Sequence, residues 1–538
     1  MADETKDSTS TTLVLPPFQP SAAEDIGPRH AELRASFRAG RTKDMAFRIQ
    51  QLRKLYWAVV DLEPLLVHAA YKDFRKAPHE TVLTETSWIK SECLDMIDNM
   101  EEWSRDQPVV GVPASFWPMK HRQRTEPLGT VLVIGAFNYP YQLTLLPMVG
   151  ALAAGNTVLV KPSESAPHSA MAMRQVVERL DRSCYACVNG GLPVSQALLD
   201  LEWDKIVFTG GRSVGRIVAQ KAAETLTPTL LELGGRNPAF VAKGANVELA
   251  ARRLLWGKSL NGGQVCISHN YALVDRSLVG PFIGQLNRQY RSFMPRGAKS
   301  SPDFCRIINR AGFDRIKAMV DNSNGKIVMG GAMDADDLFI EPTVVLTEDI
   351  NDSMMTEESF GPVWSIVPYD SLDDAIDLAN KVDSTPLALF AFGNDKDCQK
   401  ILNSVTSGGA TVNDSYMHSS IPCAPFGGVG KSGNGTYHGY YSFKAFSHQR
   451  TIAKVPAWAD ALLRVRYMPY SPKDLSRYQY MNSRSINFDR QGNVVKGFRY
   501  WVSLILCLGG QGVKGTLVRW VALLAIGLAG LRSRLIQQ

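Results

Sequence analysis

Apolar residues along the first hundred positions recur at intervals of three and four. "AELRASFRAG" and "RIQQLRKLYWAVVDLEPLLVHAAYKDF" both carry the spacing, which predicts helices across residues 25–105. The pattern then changes. "GTVLVIGAF" (Gly129–Phe137) is a short continuous apolar run, as expected of a strand buried on both faces. A helical "LLPMVGALAAGN" ending at Gly155 follows, then a strand "TVLVKPSE", a helix "HSAMAMRQVVERL", a strand "KIVFTGG" and a helix "SVGRIVAQKAAE". Strands and helices alternating in this way predict a parallel, doubly wound α/β sheet. After "LLELGGRNPAFVA" a second alternation begins. "HNYALVD", "KIVMGG", "FIEPTVVL" and "VWSIVPY" read as strands and "SLDDAIDLANKV" as a helix, which predicts a second α/β domain. The chain shows no internal repeat and no low-complexity segment beyond its first dozen residues.

Composition adds bounds. A chain of 538 residues exceeds one compact core, and 45% apolar with 21% charged residues is ordinary for a globular protein. The eight cysteines show no spacing of a disulfide framework. Cys184 and Cys187 form a CxxC, but no second pair or His pair accompanies them, so no metal site is expected. Unpaired thiols suit a cytosol-facing protein. "MADETKDSTSTT" has neither the basic nor the apolar region of a secretory signal and reads as a short disordered tail. The net charge of +7 is uneven: after residue 460 there are twelve Lys/Arg and two Asp, a net +10, which leaves −3 for the first 460 residues. A basic tail beside apolar runs points to a membrane surface, not to nucleic acid.

Five stretches could carry chemistry. In "NGGQVCISHN" (Asn261–Asn270) a single thiol, Cys266, is flanked by glycine and amide groups. Gly262 and Gly263 would let backbone N–H groups approach a reacting oxygen; the alternative is an ordinary loop cysteine. In "LLELGGRNPAFV", Glu232 lies between leucines, where burial would raise its pKa toward that of a general base; a capping or salt-bridged role is the alternative. In "GAFNYPY", Asn138 follows a buried strand and could donate to an oxyanion, or simply form a turn. "FTGGRSVGR" joins a strand to a helix, so Gly210, Gly211 and Gly215 could bring amides to a pyrophosphate, although the motif is not GxGxxG. In "VKPSES", Lys161 and Glu164 end a strand and could hold ribose hydroxyls or form a solvated pair.

In this order, "FNYP", "VKPSE", "FTGGRSVG", "LELGGRNPAFV", "GGQVC", "EESFGPV" and "PFGGVGKSG" resemble the aldehyde dehydrogenase superfamily. The matches run from Phe137 to Gly433, with looser resemblance over Glu32–Thr451. "TYHGYYSFKAFSHQR" (Thr436–Arg450) is similar to the class 3, or fatty aldehyde dehydrogenase, branch. The resemblance implies a Rossmann-like NAD(P)-binding domain, an α/β catalytic domain and an oligomerisation segment in a homodimer. It implies Cys266 as nucleophile, with the Asn138 amide and the Cys266 N–H holding the oxyanion and Glu232 activating water. It places Lys161 and Glu164 at the adenine ribose, and Glu358 at the nicotinamide ribose with Phe360 nearby. Glu164 favours NAD because a carboxylate repels a 2′-phosphate, and NADP is also possible in this branch. Val265 stands where the family commonly has Thr, and Gly262 where Ala or Cys is usual; neither displaces the nucleophile.

Expected boundaries are a tail over 1–24, a helical entry and cofactor domain over 25–232, a catalytic domain over 233–415, a returning and oligomerising segment over 416–455, and a membrane-associating tail over 456–538. In that tail Tyr500–Gly510 and Trp520–Leu531 are apolar, each too short for a helical span of about 20 residues. Arg499, Arg519, Arg532 and Arg534 with Tyr500, Trp501 and Trp520 suit a monotopic hairpin or kinked anchor, the alternative being helices packed on the body. The leading expectation is a membrane-associated oxidiser of long-chain aldehydes. Apocarotenals and aromatic aldehydes are rival substrates, and a cysteine esterase or a non-catalytic scaffold are rivals of another class.

Overall fold

The structure, a computed structural model, describes residues 14–482, 486–507 and 517–526. It contains two compact units. Val109–His121 and the chain from Ala453 form the smaller, and the rest of the chain forms the larger. The sequence reading places the last boundary at 456 and has no counterpart for the 109–121 segment.

Two sheets organise the larger unit. Across the first run Gly433–Asn434, Thr229–Leu233, Lys205–Gly210, Thr130–Ile134, Thr157–Lys161 and Tyr185–Cys187, all parallel except the edge strand Gly433–Asn434. Thr130–Ile134 and Thr157–Lys161 are buried at every position, which is why they read as unbroken apolar runs. Helices Gln142–Ala154, Pro167–Val177, Leu192–Leu199 and Arg212–Glu224 make the crossovers. The chain order reverses beside Thr130–Ile134. The crevice at the carboxyl ends of this strand and of Lys205–Gly210 is therefore the switch point at which doubly wound sheets take ligands.

The second sheet runs Lys326–Met329, Thr343–Leu346, Val363–Tyr369, His269–Asp275, Asn237–Val241, Ala388–Phe392 and Gly409–Val412, parallel apart from its first, edge strand. "HNYALVD" and "VWSIVPY" are strands as expected. "FIEPTVVL" is not one strand. Phe339–Ile340 pairs with Met333–Asp334 in a separate ribbon, and only Thr343–Leu346 joins the sheet, because Pro342 between them has no N–H to give a ladder.

The entry region is helical, as the spacing predicts: Ile26–Arg38, Met45–Phe74 and Ser87–Ser104. Asp44 caps the second, accepting from the N–H groups of Ala46 and Phe47. Residues 1–13 of the expected tail lie outside the described residues, and the remainder is tied down: the Ser21 N–H donates to the Asn189 carbonyl at 2.7 Å. Gln107–Pro108, Arg122–Pro127 and Ser447–Ile452 form a small antiparallel sheet.

In the smaller unit the α-helices among the described residues are Asp460–Leu463, Pro472–Asn482, Phe498–Cys507 and a ten-residue stretch over 517–526. The indole of Trp520 donates to the Leu506 carbonyl at 2.7 Å, which joins the two apolar helices. No helix among the described residues is long and apolar enough to cross a membrane. The ends of both predicted apolar runs, 508–510 and 527–531, and the cations Lys514, Arg532 and Arg534 lie outside the described residues.

Candidate active site

Cys266 follows a tight turn at the end of helix Val247–Ser259. Asn261, Gly262 and Gly263 have φ of 51°, 58° and 69°, in the left-handed region. A Cβ on Gly263 would lie 2.2 Å from the Gly361 carbonyl oxygen, so glycine is required there twice over. On Gly262 it would meet nothing nearer than 3.5 Å. The glycines thus make the turn and its close packing on Gly361.

The turn reaches Asn138 through amide groups. The buried Asn138 side chain donates to the Gln264 carbonyl at 3.0 Å. The Asn261 side chain donates to the Asn138 carbonyl at 2.9 Å and to the same Gln264 oxygen at 3.1 Å. Gln264 is itself held, its side chain donating to the carbonyls of Asn261 and Arg306 and accepting from the Ile308 N–H. On the other side, Asn237 donates to the carbonyls of Cys266 and Ser268 at 2.8 and 2.9 Å and accepts from the Ala388 N–H. The loop carrying the thiol is therefore fixed from both sheets.

Glu232 is on the strand Thr229–Leu233 and is 4% exposed. Neither carboxyl oxygen has a hydrogen-bond partner among the described residues. Desolvation alone pushes this carboxyl well above the usual range. The Cys266 thiol is pushed up to about 12, first by burial and then by the charges of Glu232 and Glu358.

Glu358 is raised to about 7 by burial, which the Gly235 N–H and the cations Arg212, Lys258 and Arg315 oppose. Arg315 fixes its backbone by donating to the carbonyls of Glu358 and Ser359 at 3.0 and 2.7 Å. Phe360 has φ of 39° and meets Phe137 edge to face at 5.7 Å between centroids. The buried Lys161 donates to Glu164 at 2.8 Å and to the Pro162 carbonyl at 3.2 Å, so the expected pair is made. At the switch point Gly211 is the N-cap of helix Arg212–Glu224, and a Cβ there would meet nothing within 4 Å. Gly210 and Gly215 are packed instead, a Cβ being 2.6 Å from the Phe208 ring and 2.5 Å from Leu233 respectively. Of the three motif glycines, Gly211 borders open space.

A cavity of about 370 Å³ ends at Cys266. Trp88, Tyr139, Trp256, Tyr416, Phe426 and Tyr437 line it together with aliphatic side chains such as Leu143, Leu260 and Ile267. Tyr139, Phe426 and Tyr437 fall in motifs quoted from the sequence, whereas Trp88, Trp256 and Tyr416 do not. His438 also lines it, stacked on Phe426 at 5.3 Å, and burial lowers its imidazole to about 4. That ring is neutral near pH 7, so the wall adds no charge.

Two doubly wound sheets bring together a half-buried thiol, an unpartnered buried carboxyl and an anchored amide, an arrangement that suits a dehydrogenase. Residues 14–452 match the aldehyde dehydrogenase family, and the chain belongs to it, as an NAD(P)-dependent aldehyde dehydrogenase. It is 56% identical over 524 residues to the beta-apo-4′-carotenal oxygenase of Gibberella fujikuroi, with 97% of each chain covered, and 51% identical over 518 residues to that of Neurospora crassa, covering 96% of this chain and 97% of the other. The class 3 resemblance holds: the dimeric NADP-preferring aldehyde dehydrogenase of Canis lupus familiaris is 39% identical over 438 residues, 81% of this chain and 96% of its own. Among solved structures, the substrate-bound state of Staphylococcus aureus AldH superposes with a TM-score of 0.81 at 35% identity, covering 85% of this chain and 99% of that one.

Proposed function

We propose that this dehydrogenase acts through Cys266 on long apolar aldehydes, and on polyene apocarotenals ahead of saturated fatty aldehydes. The aromatic cavity ending at the thiol carries the reading. A conjugated chain gains from aromatic faces as well as from apolar burial, whereas a saturated chain gains from burial alone. The expectation from sequence ranks fatty aldehydes first; the aromatic residues of the cavity and the two fungal relatives of nearly full length support placing polyenes ahead of them. The test is kcat/KM for a polyene aldehyde, a saturated aldehyde of equal length and benzaldehyde, each with NAD and NADP. The polyene is expected to lead by at least about tenfold, and equal values for polyene and saturated chains would return fatty aldehydes to first place.

The residues present suit a dinucleotide. Gly211 leaves open space at a helix N-terminus, Lys161 and Glu164 end the neighbouring strand, and Glu358 keeps one buried oxygen unpartnered. Lys161 and Glu164 would hold the adenine ribose and Glu358 the nicotinamide ribose. When bound, NAD(P) supplies an acceptor for the hydride of the aldehyde carbon.

The chain's own groups do the rest. Cys266 gives up its proton to solvent water, and the thiolate sulfur attacks the carbonyl carbon as the C=O π pair moves to oxygen, giving a thiohemiacetal anion. The oxyanion that forms is met by the second hydrogen of the Asn138 amide and by the Cys266 N–H. Bonding to Gln264 sets the direction of that amide before reaction, so no reorganisation is needed as charge develops. Loss of hydride leaves a thioester on Cys266. Glu232 takes a proton from water, the water oxygen attacks the acyl carbon, and the carbon–sulfur bond breaks to release the carboxylic acid and the thiolate.

The enzyme works as a homodimer with its catalytic body toward the cytosol. The basic, apolar segment from residue 453 holds it to a membrane surface. The Trp520–Leu506 bond supports a hairpin lying in the interface, and exposed Phe498, Leu517, Leu524 and Ile526 supply apolar area.

A further inference from the structure

Glu80 stands outside every motif of the chain, yet it touches the thiol-bearing turn. It is contributed by the short helix Pro78–Thr81. One carboxyl oxygen accepts from the Asn261 N–H at 3.1 Å and from the Cys305 thiol at 3.6 Å. Asn261 is a non-glycine residue with φ of 51°, a conformation that needs support from its surroundings. The side chain of the same Asn261 grips the Asn138 carbonyl and shares the Gln264 oxygen with the Asn138 amide. A continuous hydrogen-bonded path thus leads from Glu80 through Asn261 to Asn138.

We propose that Glu80 is a positioning residue for the oxyanion donor: it pins the left-handed Asn261, and Asn261 in turn fixes Asn138. This rests on the reading of Asn138 given above. Glu80 acts from a charged setting. Burial raises its carboxyl to about 7; Lys76, the Asn261 N–H and Cys305 oppose that rise, and Asp303 adds to it. Lys76 is ion-paired with the buried Glu85 at 2.7 Å and lies 4.0 Å over the Tyr139 ring. Glu85 accepts from the Tyr141 and Gln142 N–H groups. The Asn138 loop is thereby gripped on its other side by the Lys76–Glu85 pair. Glu80 is the member of this cluster that bonds to the thiol turn itself.

The test is a double-mutant cycle of Glu80→Ala with Asn138→Ala, read as kcat and KM with a short soluble aldehyde. A group acting only in the transition state lowers kcat and kcat/KM together. Glu80→Ala is expected to lower kcat about tenfold with KM changed less than twofold, and Glu80→Gln, which keeps an acceptor oxygen, is expected to stay within threefold of the parent. In the Asn138→Ala background Glu80→Ala is expected to cost less than twofold. Equal losses in both backgrounds, or no loss in the parent, would overturn the positioning role and leave the reading of Asn138 standing. An unchanged rate in Asn138→Ala alone would overturn both. If Glu80→Ala does not fold, Glu80→Asp replaces it in the cycle, since it keeps the charge and draws the carboxyl back from the Asn261 N–H. Its loss is expected to vanish in the same background, and additivity would overturn the proposal.

Discussion

The Asn138 amide donates to the Gln264 carbonyl at 3.0 Å, two residues before Cys266, so the proposed oxyanion donor and the proposed nucleophile are fixed to one loop. Moving either relative to the other requires breaking this bond. Replacing Asn138 by Ala is therefore expected to lower kcat by about 10²–10³ with little change in KM. Steady-state kinetics on a short aldehyde check this, and a rise in KM alone would assign Asn138 to ground-state binding.

Glu232 yields a prediction with a sign. Its folded pKa is well above its unfolded value, so the folded state binds the extra proton. Stability from this group is full below the unfolded pKa, near 4.5, and is lost as pH rises toward the folded value. Glu232→Gln, which is never charged, is expected to melt higher than the parent at pH 8, with the gap closing toward pH 5. A parent that stays the more stable at pH 8 would mean that the carboxylate has a partner.

The two glycines of the turn should differ. Gly262→Ala meets only the left-handed φ and is expected to cost about 1 kcal/mol. Gly263→Ala must also displace the Gly361 carbonyl and is expected to cost more than about 4 kcal/mol, in the range reserved for specific structural damage. Urea unfolding of both variants measures the difference, and equal costs would show that the Gly361 contact yields easily.

Trp256 is 41% exposed, lines the cavity and packs on Tyr416 at 5.9 Å between centroids. Trp256→Ala is expected to raise KM for a polyene aldehyde about 2- to 13-fold, the equivalent of the ~0.5–1.5 kcal/mol of an aromatic pair. A saturated chain is expected to lose less, and propanal nothing. Equal losses on the polyene and saturated chains would remove the aromatic basis for preferring polyenes.

For the tail, apolar burial should outweigh headgroup attraction, and only the latter is screened by salt. The full chain is expected to stay with membranes in high salt and leave them in detergent. A chain ending at Gly497 keeps the turn closed by Asp489 and Asn493. It is expected to be soluble and to lose rate only on long substrates presented in vesicles. Release of the full chain by salt alone would exclude an inserted hairpin.

Much of this was legible in the sequence because it is local. Buried strands such as Thr130–Ile134 read as unbroken apolar runs, and Pro167–Val177 and Leu372–Val382 show helical spacing. Tyr185–Cys187 has three residues, too few for a pattern, and Pro342 hides a break inside an apolar run. The motifs reveal Cys266, Glu232 and Asn138 as chemical types. They do not reveal Glu80, 186 positions before Cys266, whose neighbours are ordinary polar residues. The cavity wall is unreadable for the same reason: Trp88, Trp256 and Tyr416 lie outside the motifs and meet only through the tertiary fold.

The central claim is that the aldehyde carbon becomes bonded to the Cys266 sulfur and that Glu232 removes it. Glu232→Gln, mixed with NAD and a long aldehyde, quenched in acid and mapped by peptide mass spectrometry, tests this most directly. The account predicts a burst of one NADH per site and one acyl group on the peptide containing Cys266, absent when NAD is omitted. An acyl group on another cysteine such as Cys305, or an NADH burst with no adduct on Cys266, would contradict it.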